Sequence, residues 1–262
     1  MQRAPIFRLI LVLAALCAAA AVAFAAGGAD RAAFLWLNQA AAQWLPAAAP
    51  SCLTILGHGL VAVMVLAPLL PRAPGVLAAG LCAAPVAGIF SWAGKRLAAV
   101  PRPGAVLDPA LFHVQGPFLA GHNSFPSGHA ITIFLVATVL LLDAAPVRAR
   151  AAGAVAVLVL AFLAASSRIM VGAHWPSDAF GGAALGVLAG VAGSWASMRW
   201  RWWQGPRARD MLAGIVLACA GALAWADTGY PLAEPLQWAA AALGAAIACA
   251  TLLRARTAAP SP

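Results

Sequence analysis

Three short stretches of the chain hold residues able to do chemistry together. The first, Ser167 to Asp178, reads Ser-Arg-Ile-Met-Val-Gly-Ala-His-Trp-Pro-Ser-Asp and gathers Arg168, His174 and Asp178 between two apolar runs. Such groups are costly beside hydrocarbon unless they pair internally or meet a ligand. Asp178 follows His174 by four residues, and Pro176 suits the first turn of a helix. A carboxylate on one imidazole nitrogen fixes the tautomer and leaves the other nitrogen as a nucleophile or base. The second stretch, Ser124-Phe125-Pro126-Ser127-Gly128-His129, precedes another apolar run. Pro-Ser-Gly at a helix start leaves backbone N–H groups pointing outward with the positive dipole end behind them, which makes an anion site. Ser127 and Gly128 can then reach a bound oxyanion, and His129, one turn in, can deliver a proton. The third stretch is Lys95 with Arg102-Pro103. Lys95 is the only lysine in a chain with fifteen arginines, a point charge where arginine's planar fork would not serve.

Each stretch also has a plainer structural reading. Arg168 could be a snorkelling flank with His174 and Asp178 satisfying each other, Ser127 an N-cap beside a glycine that permits close packing, and Lys95 a stray cation. Taken together, three cations, a helix N-terminus, a carboxylate-oriented histidine and a second histidine make a recipe for phosphoryl transfer, where catalysis is mostly positioning and charge neutralisation.

The elements that position these residues are membrane helices. The 262 residues are 64% hydrophobic and 9% charged, too apolar for a soluble domain of this size. The formal charge of +9 does not indicate a nucleic-acid partner, because the basic residues punctuate apolar runs instead of clustering on one face. Cys17, Cys52, Cys82, Cys219 and Cys249 have no metal-ligand spacing and read as small buried hydrophobes. Apolar runs cover about 7–26, 52–70, 76–94, 128–145, 151–167, 178–197, 211–226 and 236–253, lengths that predict eight crossings. The first resembles a signal peptide but reads as a retained helix. Between the first two, Phe34, Leu37, Ala41 and Trp44 recur at helical spacing, a pattern for a short interfacial helix anchored by Trp36 and Trp44. With both termini inside, eleven of the sixteen cations fall on inside loops and five of the seven acids outside. Arg148 and Arg150 belong to an inside loop in this count, and all three reactive stretches meet at the outer surface. Arg199 to Arg209, interleaved with tryptophans, reads as an interfacial belt. His58, between two glycines, reads as a packed, hydrogen-bonded histidine within the second helix. Asp108, His113, His122 and Asn123 lie in an outside loop that could touch a headgroup.

Lys95 with Arg102-Pro103, then Pro126-Ser127-Gly128-His129, then Ser167-Arg168 with His174 and Asp178 resemble the three signature motifs of the type 2 phosphatidic acid phosphatase (PAP2) superfamily, complete and in order. The resemblance implies an all-α, polytopic membrane bundle with a six-helix core over residues 1–198, leaving two further transmembrane helices over 199–262. It implies a phosphohydrolase that uses neither metal nor cofactor. His174 would be the nucleophile, Asp178 its orienting partner and His129 the acid for the leaving oxygen, while Lys95, Arg102, Ser127, Gly128 and Arg168 would hold the phosphate. The eight apolar runs favour a lipid phosphate or diphosphate, with undecaprenyl diphosphate first, then phosphatidylglycerol phosphate, phosphatidic acid or lipid A. The setting would be a bacterial inner membrane with the site facing the periplasm. Alternatives are a phosphotransferase that passes phosphate to a second lipid, a transporter, and a scaffold built on a decayed core. A transporter would place its charges near the midplane and show repeated halves, and neither feature is visible.

Overall fold

The computed structural model describes residues 3–144, 151–205 and 207–257. It is an all-α membrane bundle, with no strand among the described residues. Its helices are α1 (Arg3–Ala26), α2 (Asp30–Trp44), α3 (Ala48–Ile55), α4 (Gly59–Leu66), α5 (Pro74–Ala98), α6 (Gly128–Asp143), α7 (Ala151–Met170), α8 (Pro176–Trp200), α9 (Ala208–Trp225) and α10 (Glu234–Thr257). Each of the eight apolar runs contains helix among its described residues. Six of these helices, α1, α5, α7, α8, α9 and α10, are long and apolar enough to cross a membrane. The second run is instead a broken pair, with α3 and the extended α4 meeting at 75°. The fourth, α6, has 16 residues, below the usual spanning length. Arg148 and Arg150 lie outside the described residues.

At the centre of the bundle is α8, packed against α1, α5 and α6. Lipid gives no hydrophobic drive for helices to associate, so close packing through small residues must hold them together. The sequence of α8 supplies that surface. A Cβ on Gly182 would come within 2.6 Å of the Ser127 carbonyl oxygen, and one on Gly190 within 2.6 Å of Thr138 Cβ. Both neighbours belong to α6 or its cap, while Gly193 faces Ala79 and Ala83 of α5 in the same way. One core joins Ile10, Ala14 and Cys17 of α1 to Phe134, Ala164 and Val187 of α6, α7 and α8. Another joins Val61, Met64 and Leu77 to Leu212 and Val216 of α9 and Ala241 and Ala248 of α10.

Three local expectations need correction. On α2, Trp36 and Trp44 are exposed as expected, but the buried stripe is Phe34, Asn38 and Ala41. Asn38 turns inward because its side chain donates to the carbonyls of His113, Ile169 and Met170 and accepts from the His113 N–H, partners that solvent exposure would forfeit. His58 lies at the α3–α4 break in extended conformation instead of within a helix, and its Nδ1 is buried without a hydrogen-bond partner. None of the five cysteines is paired, and Cys17 alone is fully buried.

Candidate active site

Helix ends collect the site. Lys95 stands on the last turn of α5, where a cation meets the negative end of the helix dipole. Arg102 follows in the loop, whose backbone is tied to the segment before α6 through Arg102 N–H to Gly121 O at 3.0 Å and Ser124 N–H to Val100 O at 3.0 Å. Ser127 caps α6, its hydroxyl oxygen accepting from Ala130 N–H at 3.4 Å. The capping reading of Ser127 therefore holds, and its hydroxyl proton remains to be donated. Gly128 and His129 open the helix, where backbone N–H groups have no intrahelical acceptor. Arg168 ends α7, His174 lies in the following loop, and Asp178 sits in the first turn of α8 behind Pro176. The Ser127 N–H donates to the Asp178 carbonyl at 3.1 Å, joining the second stretch directly to the third.

His174 is held from both sides. Its Nδ1 lies 3.2 Å from Asp178 Oδ2, and its Nε2 lies 3.3 Å from Arg102 Nη1. The same Oδ2 accepts from Ser124 Oγ at 2.5 Å and from Trp175 N–H at 2.8 Å. Three donors on one carboxylate oxygen fix its position and thereby the ring. Arg102 is braced in turn, donating to Asn123 Oδ1 and to the Ala173 carbonyl, each at 2.9 Å. Arg168 Nη1 donates to Thr54 Oγ1 at 3.0 Å and to the Tyr230 hydroxyl at 2.6 Å, leaving Nε buried without a partner. Asp30 of α2 accepts from both the N–H and the hydroxyl of Ser177, which anchors the start of α8.

The electrostatics favour a bound anion. Arg102, Arg168, His174 and Asp178 are 6%, 3%, 2% and 0% exposed, yet neither guanidinium forms an ion pair among the described residues. Lys95 feels the charges of Arg102, Arg168 and Asp178, so three cations share one carboxylate in a region of low dielectric. A cluster of three cations facing a single carboxylate is suited to a multiply charged oxyanion. Burial, reinforced by Arg168, Arg102 and Lys95, holds the His174 imidazole well below the usual histidine range. It is therefore neutral at pH 7, with Nδ1–H on Asp178 and the Nε2 lone pair available. His129 is coupled to Arg168, His174 and Lys95. Beside it lies a cavity of about 370 Å³, bounded by α4, α5 and α6 and lined mainly by apolar residues, with His58, Ser91 and Thr132 among the few polar ones.

A family model described as the PAP2 superfamily matches residues 75–206, half of the chain. The chain belongs to the PAP2 superfamily. Over 139 residues it is 37% identical to a lipid A 1-phosphatase of Rhizobium johnstonii, a segment that is 49% of this chain and 45% of that protein. A lipid A 1-phosphatase of Rhizobium etli matches at 37% over 139 residues, 47% of its length. One of Porphyromonas gingivalis is 41% identical over 76 residues, 29% of this chain and 16% of that protein. The chain spans about half the length of the Rhizobium relatives it matches. The crystal structure of Aquifex aeolicus LpxE superposes with a TM-score of 0.55 at 25% identity, covering 65% of this chain and 95% of that one. All eight residues to which the PAP2 resemblance assigns a role stand at the helix ends and loops just described. Ser124, Thr54 and Tyr230 carry no role in the motif reading. Ser124 belongs to the Ser124–His129 stretch, and Tyr230 is the chain's only tyrosine. Asn123, a headgroup candidate by sequence, instead supports Arg102.

Proposed function

We propose that this PAP2 protein removes phosphate from a membrane lipid through a phosphohistidine on His174. The observation that carries the reading is the line from Asp178 through the His174 ring to Arg102, with distances of 3.2 Å and 3.3 Å. It presents a neutral, oriented Nε2 where a cation already waits for phosphoryl oxygens. In the first step Nε2 bonds to phosphorus, the bond from phosphorus to the lipid oxygen breaks, and His129, protonated once the phosphate's negative charge offsets the neighbouring cations, gives that oxygen its proton. In the second, water attacks phosphorus and gives a proton to His129, the N–P bond breaks, and phosphate leaves. Lys95, Arg102, Arg168, Ser127 and the Gly128 N–H hold the equatorial oxygens, where charge builds in the transition state. No step calls for a metal.

The apolar cavity beside His129 supports a lipid leaving group. The names of the relatives make a lipid A-type 1-phosphate the first substrate to test, ahead of the isoprenoid diphosphate that the motifs alone leave open. We place the site at the outer leaflet of a bacterial inner membrane, following the distribution of charge along the sequence. The test is phosphate release by detergent-purified protein from lipid A, undecaprenyl diphosphate, phosphatidylglycerol phosphate and phosphatidic acid in excess EDTA, comparing wild type with His174→Ala. EDTA-resistant release by wild type alone is the expected result. Equal release by His174→Ala would sink the mechanism, and transfer of phosphate to a second lipid without free phosphate would replace hydrolysis with phosphotransfer.

A further inference from the structure

Tyr230 lies in the loop between α9 and α10, beyond residue 206 where the family match ends, yet its side chain is in the active site. It is 5% exposed and packs with Ile55 of α3 and with Val171 and Ala173 of the loop that leads to His174. Its hydroxyl oxygen accepts from Arg168 Nη1 at 2.6 Å, and its ring centroid is 5.7 Å from the guanidinium carbon. Gly116, at φ +80°, leaves room for the ring, because a Cβ there would come within 2.6 Å of Tyr230 Cε1. Thr54 takes the same nitrogen of Arg168 from the other side. With Nη1 fixed by two acceptors, the edge of the fork formed by the buried, unpartnered Nε and by Nη2, which forms no hydrogen bond among the described residues, is left for an anion.

The geometry points to Tyr230 as a positioning residue for Arg168, so that the α9–α10 hairpin completes an oxyanion site whose motifs all lie in the preceding helices. This rests on reading Arg168 as a phosphate ligand. The hydroxyl holds the guanidinium in register, and the buried ring, packed against Ile55, Val171 and Ala173, fixes the hydroxyl in turn. The two C-terminal helices thereby acquire a role in catalysis as well as in packing.

The test uses the full chain in detergent and orthovanadate as the oxyanion probe, with affinities measured by calorimetry for wild type, Tyr230→Phe, Arg168→Lys and the double variant. Tyr230→Phe keeps the ring and loses the hydroxyl, and is expected to weaken vanadate binding about ten-fold, as for loss of a buried hydrogen bond to a charged donor. In the Arg168→Lys background the same change is expected to have no further effect, the mark of two residues acting as one unit. Tyr230→Phe with wild-type vanadate affinity, or an equal penalty in both backgrounds, would overturn the assignment even if its melting temperature fell. Wild type that binds vanadate but releases no phosphate from any lipid would reject the phosphatase reading and leave the Tyr230–Arg168 coupling standing. Wild type that binds no vanadate would overturn both.

Discussion

Nη1 of Arg102 lies 3.3 Å from Nε2 of His174, on the opposite side of the ring from Asp178. The nitrogen that the carboxylate leaves free is thus met by a guanidinium, and a phosphorus atom reaching Nε2 brings its oxygens directly to that cation. In the proposed mechanism, binding and attack share one locus. His174→Ala is expected to reduce phosphate release to background. His129→Ala should lower kcat by about 10² to 10⁴, the range for a lost general acid, with a smaller loss on an aryl phosphate whose leaving group needs no proton. Parallel assays on lipid and aryl substrates check both, and an equal loss on the two would remove His129 from the leaving-group role.

Ser124→Ala deletes one of three donors on Asp178 Oδ2 while leaving the Trp175 N–H and the ring in place. A hydrogen bond to a buried carboxylate contributes roughly 1.5–3 kcal/mol, so kcat on the preferred lipid should fall by about ten-fold or more with KM little changed. A change confined to KM would mean that Ser124 touches substrate instead of orienting the base of the ring.

The His174 imidazole resists protonation in the folded protein, whereas in the unfolded chain it titrates near the ordinary value. Below about pH 6.5 the unfolded state therefore takes up a proton that the folded state refuses, and stability falls as pH drops. Between pH 8 and 5 the melting temperature of wild type should fall more steeply than that of His174→Gln, which has no titrating group at this position. Parallel curves would show that His174 is not held neutral by its surroundings.

Gly57→Ala would put a Cβ 2.7 Å from His129 Cβ and 2.8 Å from its carbonyl oxygen. Because the obstacle is backbone, α3 and α6 must separate, at about 1–3 kcal/mol for overpacking of this kind. The expected readout is a lower melting temperature together with a loss of kcat. Full activity would show that the contact at the α3–α4 break can relax without moving His129.

The membrane bundle is legible in the sequence because a lipid-facing helix must be apolar along its length, and the candidate site is legible because its charged and titratable residues stand out between apolar runs. Thr54 and Tyr230 are not legible, since each sits far along the chain from Arg168 and only packing brings them together. Asn38 misleads a periodicity argument for the same reason: its worth lies in carbonyls contributed by His113, Ile169 and Met170, and a polar residue with buried acceptors can displace Leu37 from the inward stripe. The bend at Gly57-His58-Gly59 reads as one continuous apolar run, because hydropathy records composition and is blind to direction. Irregular backbone at such depth survives only where protein covers it, which is a property of the fold.

The crossing of α5 and α8 has a mechanical consequence. Gly193 of α8 meets α5 at Ala79 and Ala83, and Lys95 lies 12 residues farther along α5 than Ala83, roughly 20 Å by helical rise. That crossing is a fulcrum and the segment from it to Lys95 an arm that Pro85 allows to bend, so a deflection of roughly 3° near the pivot would swing the ammonium end by about 1 Å. Displacements of that size cost catalysis dearly. A methyl group added deep in the bundle, far from any reacting atom, would thus be felt at the phosphate.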